Sequence, residues 1–145
     1  MSISRAQLKD EVFMRMAMEI SRLGTCCRLK VGAILLREDG GVAAAGFNGA
    51  LPGMDHCTPE TCHEGQRCLH TSHAEENALG FCFGNVKTAF VTAEPCLTCT
   101  RALVRRGVRR VVYLAPYTSI GEQERRERDA IIQTFQVAWE QLQFS

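Results

Sequence analysis

Three residues far apart in the chain must converge if they are to work together, and that requirement limits the fold more than any other feature. His73 stands in Ser72-His73-Ala74-Glu75; Cys96 and Cys99 stand in Glu94-Pro95-Cys96-Leu97-Thr98-Cys99. One imidazole and two thiols form a set of borderline-soft metal ligands, and Glu75 is left over as a free carboxylate. Each group opens a segment that reads as a helix. One runs from His73 to Phe83, closed by Gly84; the other runs from Cys96 to Arg106, with Gly107 at its C-terminal cap. For the ligands to meet, both helix N-termini must lie at one end of one sheet. Two cysteines three residues apart at a helix start face the same point. Pro95 suits the entry to a helix, and a helix N-terminus favours the thiolate a metal needs.

The remaining elements are consistent with that frame. Residues 4–23 read as a helix, with Leu8, Val12, Met16, Ile20 and Leu23 at helical spacing, Ser4 and Gln7 as a capping box, and Gly24 as the stop. Val31–Leu36 and Val42–Phe47 flank a Gly-rich turn and read as a β-hairpin. Thr88–Thr92 and Arg110–Leu114 read as strands, and Glu122–Thr134 as a charged helix. Phe135–Leu142 fits a last strand better than a helical continuation. The order α-ββ-α-β-α-β-α-β predicts an α/β fold, a partly parallel sheet with helices on both faces. Residues 1–145 read as a single domain, with no internal repeat or linker.

Gly49–Thr71 lacks periodicity and carries three of the six cysteines outside the first motif, so it reads as a loop held by something. Eight cysteines are present, and the N-terminus MSISRAQLKDE has no apolar signal-peptide core. The expectation is therefore a cytoplasmic protein whose cysteines serve metal binding or catalysis rather than disulfides. Cys82, inside the helical pattern, is expected to be a buried core thiol. A formal net charge of +1 gives no global electrostatic reason to bind nucleic acid. No apolar run is long enough to suggest a membrane span.

Each half of the motif has a plainer reading. Ser72-x-x-Glu75 is also a capping box, and Cys96-x-x-Cys99 on its own suits a redox pair. Neither explains the other half. Together they form the H-x-E…P-C-x-x-C pattern of zinc-dependent nucleobase deaminases. In that chemistry zinc acidifies a bound water. The carboxylate takes the proton and passes it to a ring nitrogen, then to the leaving amine.

Four stretches in order resemble the cytidine deaminase superfamily, and within it the bacterial and phage deoxycytidylate (dCMP) deaminases, especially the competence-protein branch. They are Thr25-Cys26-Cys27-Arg28-Leu29-Lys30-Val31-Gly32-Ala33, Gly46-Phe47-Asn48-Gly49, His73-Ala74-Glu75-Glu76-Asn77-Ala78 and Pro95-Cys96-Leu97-Thr98-Cys99. The resemblance spans about residues 5–118; the tail from Ser119 matches the family pattern poorly. It implies a three-layer α-β-α fold around a central five-stranded mixed sheet. It also implies a catalytic zinc on His73, Cys96 and Cys99, with Glu75 as proton shuttle in making dUMP from dCMP. Asn48 and the backbone of Ala74 would contact the substrate. Arg28 and Lys30 would meet a 5′-phosphate or lie on solvated surface. Asn48-Gly49 alone would be an ordinary turn; relatives acting on tRNA adenosine or free bases usually lack it, which favours a nucleotide. The family habit also implies a homo-oligomer.

The resemblance further implies a second, structural zinc on Cys26, Cys57, Cys62 and Cys68, with His63 and His70 as rival ligands and His56 a weaker one. The alternative is a set of reduced cysteines with no metal. Two other functions stay open. One is deamination of a nucleoside, a modified cytidine nucleotide or single-stranded nucleic acid. The other is a non-catalytic zinc-held nucleotide-binding module. Arg101, Arg105, Arg106, Arg109 and Arg110 alone favour nucleic acid. Without interleaved aromatics they read as a solvated helix face and strand entry.

Overall fold

A computed structural model describes residues 2–60 and 71–145. The element order is α1 (Arg5–Ser21), β1 (Gly32–Leu36), β2 (Val42–Phe47), α2 (Ala74–Gly80), β3 (Thr88–Ala93), α3 (Leu97–Arg105), β4 (Arg110–Ala115), α4 (Glu122–Thr134) and β5 (Ala138–Gln141). The strands form one sheet in the order β2-β1-β3-β4-β5. β1 is antiparallel to β2 and β3; β3, β4 and β5 run parallel.

β1, Gly-Ala-Ile-Leu-Leu, is buried along its whole length, as expected for a strand with helices over both faces. On one face Met14 and Ala17 of α1 pack on Ile34, Leu36, Phe90 and Val112, and Leu142 joins them from just past β5. On the other, Ala74, Ala78 and Leu79 of α2 and Leu103 and Val104 of α3 pack on Ala33, Leu35, Ala89, Val91 and Val111. Ile131 and Ile132 of α4 join that second cluster. The three-layer mixed sheet expected from the sequence is the one found. Among the described residues, no helix is long and apolar enough to cross a membrane.

Strand directions gather the chemistry at one edge. β2, β3 and β4 point the same way, so their C-terminal ends share an edge with the N-terminal end of antiparallel β1. The segments leaving those ends are Asn48, Glu94-Pro95-Cys96 and Pro116–Ser119, and residues 26–31 lead into β1 at the same place. Crevices beyond the carboxyl ends of parallel strands are where α/β folds bind ligands.

Two local expectations are revised. α2 stops at Gly80 rather than near Phe83. Arg106 collects the carbonyl oxygens of Leu79 (3.2 Å), Cys82 (2.7 Å) and Gly84 (2.9 Å), so the turn after the helix is tied to α3 instead of continuing as helix. Cys82 therefore lies beyond the helix, half-buried against the core rather than fully inside it. At α1, Ser4 accepts from the Gln7 N–H at 3.1 Å, but the Gln7 amide turns to Glu11 and to the Gln143 carbonyl, so only half of the capping box forms.

Candidate active site

His73 is the N-cap of α2 and Cys96 the N-cap of α3, both with extended backbone (ψ 155° and 176°). Cys99 sits one turn into α3. The Nδ1 of His73 lies 3.2 Å from Cys99 Sγ and 3.6 Å from Cys96 Sγ. All three donor atoms fall within 4.8 Å of one another. Tetrahedral zinc bonded to nitrogen and sulfur puts neighbouring ligand atoms about 3.5 Å apart. The donor set and its spacing therefore fit a zinc ion with its fourth position open.

The electrostatics point the same way. The Cys96 thiol is held down to about 3, chiefly by the Cys99 thiol donating to its sulfur and also by His73. That same hydrogen bond, reinforced by burial, pushes Cys99 far above the usual thiol range. The hydrogen bond with Cys96 raises His73. The two sulfurs thus share a proton that a divalent cation would displace, since a coordinating thiol is deprotonated outright.

Glu75 is 4% exposed, and burial pushes its carboxyl up to about 7. That suits a group that must take and return a proton near neutral pH. Its plainer role falls elsewhere: the exposed Glu76 carboxylate accepts from the His73 N–H at 3.3 Å. The capping partner at this helix start is therefore Glu76, and Glu75 is left to face the cavity.

A cavity of about 670 Å³ opens here, within the roughly 300–1,000 Å³ usual for small-molecule sites. It is lined by Glu75 and the ligands His73 and Cys96, together with Arg28, Lys30, Asn48 and Ala74. Asn48 is buried, and its side chain spans the loop before β1. Its Oδ1 accepts from the Val31 N–H (2.8 Å) and its Nδ2 donates to the Leu29 carbonyl (2.7 Å). Asn48 thereby holds the backbone that carries Arg28 and Lys30. The opposite wall, Pro116 to Ser119, follows β4. Sequence reasoning assigned this wall nothing; only the rule about the ends of parallel strands could have indicated it.

The expected second set divides. Cys62, Cys68, His63 and His70 lie outside the described residues. Of the two adjacent cysteines, Cys27 faces Cys57, Sγ to Sγ 3.5 Å, whereas Cys26 is buried in the cavity wall. His56 is exposed. Three of the five arginines are engaged internally. Arg106 binds the turn after α2, Arg109 donates to the Val104 and Val108 carbonyls, and Arg110 pairs with Asp10 (2.7 Å) and Glu140 (2.9 Å). Arg101 and Arg105 stay exposed.

Comparison with known proteins bears on this arrangement. The family model described as the cytidine and deoxycytidylate deaminase zinc-binding region matches residues 7–115. The chain is 34% identical over 114 residues to ComE operon protein 2 of Bacillus subtilis (strain 168), covering 74% of this chain and 60% of that protein. It is 34% identical over 122 residues to the deoxycytidylate deaminase of Mycobacterium phage D29, covering 72% of this chain and 92% of the phage protein. The fold superposes on the dCMP deaminase of cyanophage S-TIM5 in complex with dCMP and dUMP with a TM-score of 0.75 and 26% identity, over 97% of this chain and all of that one. The chain thus spans less than two thirds of the Bacillus relative's length. The matched zinc-binding region and the cluster geometry together support a zinc site in this chain, and the donor atoms of His73, Cys96 and Cys99 are grouped closely enough to hold the ion.

Proposed function

The chain belongs to the cytidine and deoxycytidylate deaminase family, and from that premise we propose that it hydrolyses dCMP to dUMP and ammonia. The observation that carries the reading is the buried Glu75 carboxyl in the same cavity as the His73–Cys96–Cys99 cluster. Zinc held there supplies acidity to a water molecule. Glu75 would take a proton from the water whose oxygen adds to C4 of the pyrimidine and deliver it to N3. It then carries the second hydroxyl proton to the C4 amine, which leaves as ammonia. Asn48 and the Ala74 backbone hold the nucleotide, and Arg28 and Lys30 meet its 5′-phosphate. Support for these contacts is their common place around one cavity.

A substrate panel tests the proposal. With dCMP, CMP, deoxycytidine and a cytidine-containing oligonucleotide, ammonia release should be fastest from dCMP. Turnover of the oligonucleotide alone would reject it. The internal engagement of Arg106, Arg109 and Arg110 removes most of the cationic surface that an oligonucleotide would use.

The proposal includes a second, structural zinc. Support comes from the 3.5 Å approach of Cys27 and Cys57 beside a loop with little apolar content. Cys27 takes the place first given to Cys26, with Cys62 and Cys68 completing the set. Metal analysis of purified protein should return two zinc ions per chain, and Cys27→Ser should lower the count by one while Cys26→Ser leaves it at two. A count of one in the unaltered protein removes the second site. Self-association belongs to the same proposal, supported by the exposed stripe Leu8, Val12 and Met16 on α1.

A further inference from the structure

Glu94 precedes Pro95 and Cys96, is 8% exposed, and has no part in the chemistry above. Its carboxylate is nevertheless fully engaged. Oε2 accepts from Trp139 Nε1 at 2.6 Å and faces Arg128 Nη2 at 3.4 Å; Oε1 accepts from the Tyr117 N–H at 3.0 Å. The Glu94 N–H donates to the Ala115 carbonyl at 2.8 Å. Arg128 is 5% exposed; its Nη1 donates to the Pro95 carbonyl at 3.3 Å and its guanidinium lies over the Trp139 ring at 5.4 Å.

We infer that Arg128 of α4 and Trp139 of β5 are positioning residues that act through Glu94 to hold the Tyr117–Ser119 wall of the substrate cavity. The inference rests on the nucleotide-deaminase reading and extends it beyond residues 7–115, the span that the family model matches.

Three observations carry it. First, the carboxylate joins two cavity-lining segments: Glu94 lines the cavity from the end of β3, and the N–H it accepts from belongs to Tyr117 in the segment after the neighbouring strand β4. Second, fold stability is a poor reason for such a pair. A buried ion pair contributes little net stability compared with apolar side chains of the same volume. Arg128 Nε, also buried, faces Asp129 Oδ1 only at 3.5 Å and makes no hydrogen bond among the described residues, which adds cost. Third, every donor to the carboxylate comes from the chain beyond β4. Tyr117 N–H, Arg128 and Trp139 belong to a loop, a helix and a strand that meet at this acceptor. The tail therefore completes the site from outside the metal motif, setting one wall against the zinc-ligand helix.

Trp139→Phe tests this with little risk to folding, because the half-buried position keeps an aromatic ring while losing the N–H together with the five-membered ring that carries it. In the ligand-free protein, amide exchange at Tyr117 should quicken by about tenfold, the weight of one hydrogen bond to a charged acceptor. For dCMP, KM should rise several-fold while kcat and zinc content stay within about twofold, because the variant loosens binding and spares the reacting groups. Arg128→Lys keeps the charge but loses the fork to Glu94 and Pro95, and should shift KM in the same direction. A lower melting temperature with unchanged exchange and KM would reduce the network to scaffolding. Loss of zinc with a parallel fall in kcat would also overturn the inference. Absence of dCMP turnover by the unaltered protein would defeat the deaminase reading instead, and the exchange measurement would still decide whether Glu94 tethers the wall.

Discussion

Glu75→Gln should lower dCMP turnover by at least about 10³-fold while the protein keeps its zinc and its melting temperature. General acid–base catalysis by one side chain typically contributes about 10²–10⁴-fold, and here one carboxyl serves both proton transfers. Gln has the same shape and cannot carry a proton between water, ring nitrogen and amine. The fold does not depend on the charge. Glu75 is buried, and burial already pushes its carboxyl up to about 7, so a neutral amide removes a desolvation cost. Zinc retention is not expected to depend on it either, since His73, Cys96 and Cys99 are the residues grouped to hold the ion and Glu75 is not among them. Three measurements are needed: ammonia release, zinc content and thermal melting. Undiminished turnover would remove Glu75 from the chemistry. Loss of zinc along with activity would make it a structural support of the metal site.

The convergence of His73, Cys96 and Cys99 near a buried Glu75 was legible in the sequence because metal chemistry is demanding. Few arrangements bring an imidazole and two thiols to one ion, and His73 and Cys96 at helix starts is one of them. The capping question was harder. Ser72-x-x-Glu75 and His73-x-x-Glu76 are offset by one residue, and only the position of His73 as N-cap shows which glutamate accepts the backbone N–H. The adjacent thiols posed the same problem of register. Cys26 and Cys27 are chemically alike, so nothing in composition says which one faces Cys57.

What stayed hidden depends on contacts between distant segments. Pro116–Ser119 carries no motif; it becomes a cavity wall because β4 ends beside β3. Arg106 and Arg110 read as solvated charge because their partners lie elsewhere: the turn after α2, Asp10 on α1 and Glu140 on β5. Glu94 carried no assignment beyond its place before Pro95, and its partners came into view only once α4 and β5 were packed against it.

Gly46→Ala should cost roughly 10² in kcat/KM and about 1–3 kcal/mol of stability, although the substitution adds one methyl group to a residue that takes no part in proton transfer. A Cβ at this position on β2 would lie 2.5 Å from the Ala74 carbonyl oxygen and 2.6 Å from the Ala78 nitrogen. Both are backbone atoms of α2, so no side-chain rotation relieves the contact; the helix itself must move off the sheet. α2 begins at the ligand His73 and carries Glu75, so both groups move with it relative to Cys96 and Cys99 on α3. The loss should therefore exceed what the destabilisation alone explains, since the variant remains largely folded at 25 °C. Gly80→Ala is the control on the same helix. Its Cβ meets nothing within 4 Å, so it should leave activity unchanged and stabilise the helix by up to about 1 kcal/mol. Comparable kcat/KM for the two variants would mean that the approach of α2 to β2 at Gly46 does not set the catalytic geometry. A deficit confined to Gly46→Ala would mean that the missing side chain on an edge strand fixes where the proton shuttle stands.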